Sequence, residues 1–100
     1  MANKVIWTQK AVVQIENILT FLSEDVSDQS ASKFLELIMS KVKSLENNTY
    51  EGRIVPKMRT VRFILVGKHH RLYYRRNGLT LVVTQIYDTR QSVDKKPYRK

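Results

Sequence analysis

The chain has no cysteine among its 100 residues. Disulfide cross-links, thiolate nucleophiles and thiolate-held metals are therefore excluded. Its opening residues, MANKVIWTQK, lack the apolar core of a signal peptide. Nor does any stretch approach the roughly 20 apolar residues needed to cross a bilayer, so a cytoplasmic protein without a membrane partner is expected. There is no Gly-rich phosphate loop, no ordered Ser/His/Asp motif, no repeat and no linker. The two histidines, His69 and His70, are adjacent, and neighbours on a strand point to opposite faces, so they cannot chelate one ion. Neither a metal nor a cofactor is expected. Between Arg59 and Tyr87 there is no acidic residue at all.

What is present is a globular balance, 42% apolar and 27% charged residues, and the length suits one domain over residues 1–100 with one small core. The net charge is +9 and unevenly placed. Residues 1–50 hold five basic and six acidic groups, whereas residues 51–100 hold thirteen and three. The second half thus carries the whole positive field, which attracts nucleic acid, anionic surfaces or an acidic protein.

Residues 4–7, KVIW, read as a short strand, with Trp7 in the core rather than at a ligand. Thr8 is then an N-cap, and Ala11, Val12, Ile15, Ile18, Leu19 and Leu22 recur at helical spacing to about Ser23. Ser27 or Asp28 caps a second helix, whose stripe of Ala31, Phe34, Leu35, Ile38, Val42 and Leu45 runs to Asn47 or Asn48. A short polar link joins the two, which predicts an antiparallel helical hairpin whose apolar stripes need a flat cover. NTYEGRIVPK, with Gly52 and Pro56, reads as a loop. From Arg59 to Tyr87 the composition turns to β-formers, interrupted at Gly67-Lys68 and Asn77-Gly78, which predicts a meander with two tight turns.

Two-residue turns fix the register by counting. One face would then carry Val61, Phe63, Leu65, Leu72, Tyr74, Leu81 and Val83, the seat for both helices. The other would carry Arg62, Ile64, Arg71, Tyr73, Arg75, Val82 and Thr84, with His69 toward one end. Like charges across strands cost stability, so Arg62, Arg71 and Arg75 on one open face suggest a bound anion. Arg90 lies just past the last strand, and Asp88 is placed to pair with it or with Arg71.

Taken in order, KVIWTQKAVVQIENILTFL, NTYEGRIVP, VRFILVGKHHRLYYRR and YDTRQS resemble the RelE/ParE family of bacterial toxins from type II toxin-antitoxin systems, the plasmid stabilisation proteins, over nearly the whole chain. The resemblance implies an α+β fold, in which an N-terminal strand precedes a two-helix hairpin packed on one face of an antiparallel β-sheet, in the order β-α-α-β-β-β. It also implies toxicity when free, silencing by a cognate acidic antitoxin, and operator DNA binding through the complex. Three activities stay open: a ribosome-dependent mRNA endoribonuclease, a non-enzymatic inhibitor of DNA gyrase, or a degenerate member that only binds antitoxin and DNA.

Cleavage of mRNA needs cations for the scissile phosphate, a base and an acid. For that activity the resemblance implies Arg62, Arg71 and Arg90 as the cations, with Tyr73, His69 and Tyr98 as proton-transfer groups. The sequence departs from the nuclease pattern at two points. Ile64 stands where a second lysine is usual, and the C-terminal tyrosine is represented only by Tyr98, displaced beside Pro97.

Overall fold

In the computed structural model residues 4–47 and 52–89 are described. Strand β1 (Lys4–Trp7) leads into α1 (Gln9–Asp25) and α2 (Asp28–Asn47), followed by β2 (Arg53–Val55), β3 (Met58–Val66), β4 (His70–Asn77) and β5 (Thr80–Asp88). Each helix begins where a side chain satisfies an otherwise orphaned N–H. Thr8 Oγ1 accepts from Ala11 N at 3.1 Å, and Ser27 Oγ accepts from Ser30 N at 3.0 Å. The first helix closes with Val26 N and Ser27 N both donating to Leu22 O.

Thr8 has a second task, because its hydroxyl donates to Thr84 O at 2.7 Å while its backbone N donates to Val83 O at 3.0 Å. One residue therefore caps α1 and anchors it to the last strand. Thr8→Ala is expected to lower unfolding stability by about 2 kcal/mol, the upper range for a lost cap, as measured by urea denaturation. Thr8→Ser should retain most of the stability.

The five strands form one sheet in the order β1-β5-β4-β3-β2. Two features differ from expectation. The sheet is mixed rather than antiparallel, since β1 joins β5 in parallel, with Val5 beside Leu81 and Trp7 beside Val83. A helical hairpin intervenes between β1 and the meander, so the chain returns to β5 in the same direction as β1. The other difference is β2, which occupies part of the expected loop and pairs with β3 through Arg53–Phe63 and Ile54–Arg62.

Both helices cover one face of the sheet. Ala11, Ile38, Val42 and Leu45 pack there against Ile64, Val66, Leu72, Tyr74, Leu81, Val83 and Ile86, with Trp7 partly buried at the margin. Leu72, Tyr74, Leu81 and Val83 are where counting put them. Val61, Phe63 and Leu65 are not, because the β3–β4 turn has three residues: Val66 pairs with His70, leaving Gly67, Lys68 and His69 outside the ladder. A slip of one residue exchanges the faces of a strand. Ile64 thus enters the core, and Arg62, opposite Tyr74, turns to the helix side.

The β4–β5 turn also differs. Asn77 pairs with Thr80, so Gly78 and Leu79 are its centre, and Gly78 takes φ 63°, as the first position of a Gly-X turn requires. This slip of two residues preserves the faces. Further along, Tyr74 pairs with Val83 but Tyr73 with Gln85, leaving Thr84 as a bulge that brings Ile86 inside.

Candidate functional site

The face away from the helices carries Phe63 and Leu65 from β3, Arg71, Tyr73 and Arg75 from β4, and Val82, Gln85 and Tyr87 from β5. Its centre is aromatic. Tyr73 and Tyr87 stack with ring centroids 5.8 Å apart and planes 15° from parallel, and Phe63 leans on Tyr73 at 5.6 Å. The Arg71 guanidinium sits over the Phe63 ring, 4.6 Å from its centroid. That contact contributes about 0.5–2 kcal/mol and holds the charge in place.

Electrostatics couple these groups. The pKa of Arg71 is raised, first by its hydrogen bond to the Tyr73 hydroxyl, against the opposing effect of burial. Tyr73 is pushed above the ordinary phenol value of 10.0, first by burial, although Arg71 pulls the other way. At neutral pH the pair is thus a fixed cation and a neutral phenol, a poor arrangement for a general base. Two polar atoms on this face, Arg71 Nε and Gln85 Oε1, are buried without a hydrogen-bond partner among the described residues.

Of the six residues implicated by sequence, Arg71 and Tyr73 come together here. Arg62 does not join them. Its Nη1 donates to Gly52 O at 2.8 Å on the other side of the sheet, because the longer turn reversed β3. His69 is exposed in that turn, and Arg90 and Tyr98 lie outside the described residues. Asp88 faces the helix side, opposite to Arg71, where its carboxylate is 4.0 Å from His70 Nε2. His70 in turn packs against Phe34, with centroids 4.6 Å apart.

Sequence reasoning missed Phe63, Gln85 and Tyr87 as members of this face. Phe63 was misplaced with all of β3, and the other two depend on the Thr84 bulge, which leaves no mark in composition. Among the described residues no group of three His, Asp or Glu side chains is placed to hold a metal, and no helix is long and apolar enough to cross a membrane.

Comparison with known proteins gives a consistent picture. The sequence profile for "ParE toxin of type II toxin-antitoxin system, parDE" matches residues 5–93. No curated protein sequence matches significantly. Among solved structures, the chromosomal ParDE toxin-antitoxin system from P. aeruginosa superposes with a TM-score of 0.72 at 21% identity, covering 85% of this chain and 94% of that one. The YoeB/ParE toxin from Agrobacterium tumefaciens does so with 0.64 at 18% identity, covering 85% and 96%. At these identities the likeness extends to the fold.

Proposed function

Because the chain belongs to the ParE toxin family of type II toxin-antitoxin systems, with an antitoxin as its implied partner, we propose that it acts without catalysis, by binding DNA gyrase. One observation favours this reading over mRNA cleavage: Arg62 and Arg71 lie on opposite faces of the sheet. A scissile phosphate cannot be gripped by two cations separated by a β-sheet. The remaining chemistry agrees. Ile64, standing where a second lysine would serve a nuclease, is in the core, and Tyr73 is held as a neutral phenol.

What the outer face offers instead is a packed base of buried side chains, Val55, Val61, Tyr73 and Tyr87, on which the partly buried Phe63, Arg71 and Arg75 and the exposed Leu65 stand. Arginine is among the residue types that dominate binding hot spots, and Arg71 is already held over the Phe63 ring, so less of its rotamer freedom remains to be lost on binding. Arg71 presents a guanidinium braced by Phe63 and Tyr73, and Arg75 extends the positive charge along β4. An acidic antitoxin segment fits the same field, and raised salt is expected to weaken that complex.

The deciding experiment induces the protein without its antitoxin and follows plasmid supercoiling beside the integrity of ribosome-bound mRNA. Lost supercoiling with intact message is the expected result. Fragmented message would overturn the reading in favour of the nuclease, and no change in either would identify a degenerate toxin that only binds its antitoxin and DNA.

A further inference from the structure

The last strand has an open edge along its second half. Strand β1 accompanies β5 only from Thr80 to Val83, and Thr8 then turns the chain into α1, its hydroxyl donating to Thr84 O at 2.7 Å. From Ile86 to Asp88, β5 therefore has no strand on that side among the described residues. A side chain stands in for the missing neighbour: Gln14 Oε1 accepts from Ile86 N at 2.8 Å. Backbone groups alternate in direction along a strand, so Asp88 turns its own N–H and C=O to the same edge.

Beside this edge lies a cavity of about 400 Å³, in which Ile18, Phe21 and Leu22 of α1 face Ile86 and Asp88 of β5. That volume is within the usual range of ligand pockets, about 300–1,000 Å³. Phe21 is 54% exposed although it lines the cavity, as expected of an apolar wall that lacks part of its cover. An edge N–H with apolar room next to it is what a sheet uses to take up a further strand, backbone bonds giving affinity and pockets for alternate side chains giving selectivity.

Spacing selects the sequence of that strand. Ile86 and Asp88 are two residues apart and share the helix side of the sheet, so a strand laid beside them sets side chains two apart on that side. One enters the cavity against Phe21 and is apolar. The other reaches the Asp88 carboxylate, the only acidic side chain among the described residues after Asn47, and is basic. His70 Nε2 is 4.0 Å from that carboxylate, and two oxygens with about four acceptor sites can take a further cation beside it.

We propose that the open edge of β5 docks an extended peptide of a partner protein, carrying an apolar and a basic residue two positions apart. Acidic segments are drawn to the arginines of the outer face, whereas this edge selects a basic one, so the two surfaces take different partners. The inference does not rest on gyrase as the target, since Gln14, Phe21 and Asp88 lie off the outer face.

The test is a fluorescence-anisotropy titration of the full chain into labelled pentapeptides with blocked ends. Lys-Thr-Phe-Thr-Lys fits the spacing in either strand direction, Glu-Thr-Phe-Thr-Glu reverses its charge, and Lys-Thr-Ser-Thr-Lys removes its apolar residue. Saturable binding of the first is expected, at least about tenfold tighter than of either other, the effect of one charge-assisted bond or one buried ring. Asp88→Asn and Phe21→Ala should each weaken it about tenfold, whereas Leu79→Ala, at an exposed apolar residue of the β4–β5 turn, should not. Gln14→Ala should strengthen it, because the peptide carbonyl no longer competes with Gln14 Oε1 for Ile86 N; a merely structural role of Gln14 would leave the affinity unmoved. Equal affinity for the three peptides, or unchanged binding in Asp88→Asn and Phe21→Ala, would overturn the proposal. So would self-association of the chain in sedimentation that Phe21→Ala abolishes, which would make a second copy the occupant.

Discussion

Gly52→Ala is expected to destabilise the protein by about 3 kcal/mol, the upper end of the usual cost of an added methyl in a packed site. A Cβ at this position would lie 2.6 Å from Phe63 O and 2.6 Å from the Tyr74 hydroxyl. The carbonyl is part of the backbone of β3 and has no rotamer to adopt. The hydroxyl belongs to a core tyrosine that accepts from Gly52 N at 2.9 Å, so moving it away breaks a buried hydrogen bond. Gly52 O is also committed, to Arg62. Urea denaturation reads the effect. Tyr74→Phe alone should cost about 1–2 kcal/mol, because it strands the Gly52 donor. The double variant should cost less than the two singles added together, since removing the hydroxyl also removes half of the collision. A Gly52→Ala protein within about 0.5 kcal/mol of wild type, the range of an ordinary surface substitution, would contradict this close approach.

With gyrase as the target proposed above, Arg71→Ala is expected to raise the concentration needed for inhibition by at least tenfold, about the loss that marks a binding hot spot. Folding should survive, because the residue removed is only partly buried and its contact with Phe63 is worth about 1 kcal/mol. Arg71→Lys should not restore inhibition, since an ammonium keeps the charge but loses the planar fork and the stacking. Arg62→Ala should do the reverse: it should lower stability through the lost bond to Gly52 O and leave inhibition nearly intact. Supercoiling titrations paired with denaturation curves separate the two effects. Strong loss of inhibition in a stable Arg62→Ala protein would mean that both arginines serve one surface after all.

The contrast between these arginines also marks where sequence reading stops. The helices were legible because Thr8, Ser27 and the apolar spacing of Ala11, Ile15, Ile18, Ile38, Val42 and Leu45 all point the same way. The inward set on β4 and early β5 was legible too, since Leu72 and Tyr74 alternate with Arg71, Tyr73 and Arg75, and counting across the turn then places Leu81 and Val83 on the same face. Strand β3 was not. Val61, Phe63 and Leu65 are as apolar as Ile64 and Val66, so alternation cannot choose between the faces, and only the length of the turn decides. The counts assumed two residues where three are used. Pairing β1 with β5 in parallel was equally hidden, because KVIW is compatible with either direction.

Thr8 and Thr84 are 76 residues apart and directly bonded, and β1 finds its only described ladder partner at Thr80–Val83. During synthesis the helical hairpin therefore emerges long before the strand that seats it. Contacts of such long range close late, so a nascent chain that stops short of β5 has its first strand unpaired and its apolar stripes uncovered. Harm is consequently confined to copies translated through β5, and a nonsense codon or frameshift anywhere upstream of residue 80 should disarm the gene as completely as a deletion.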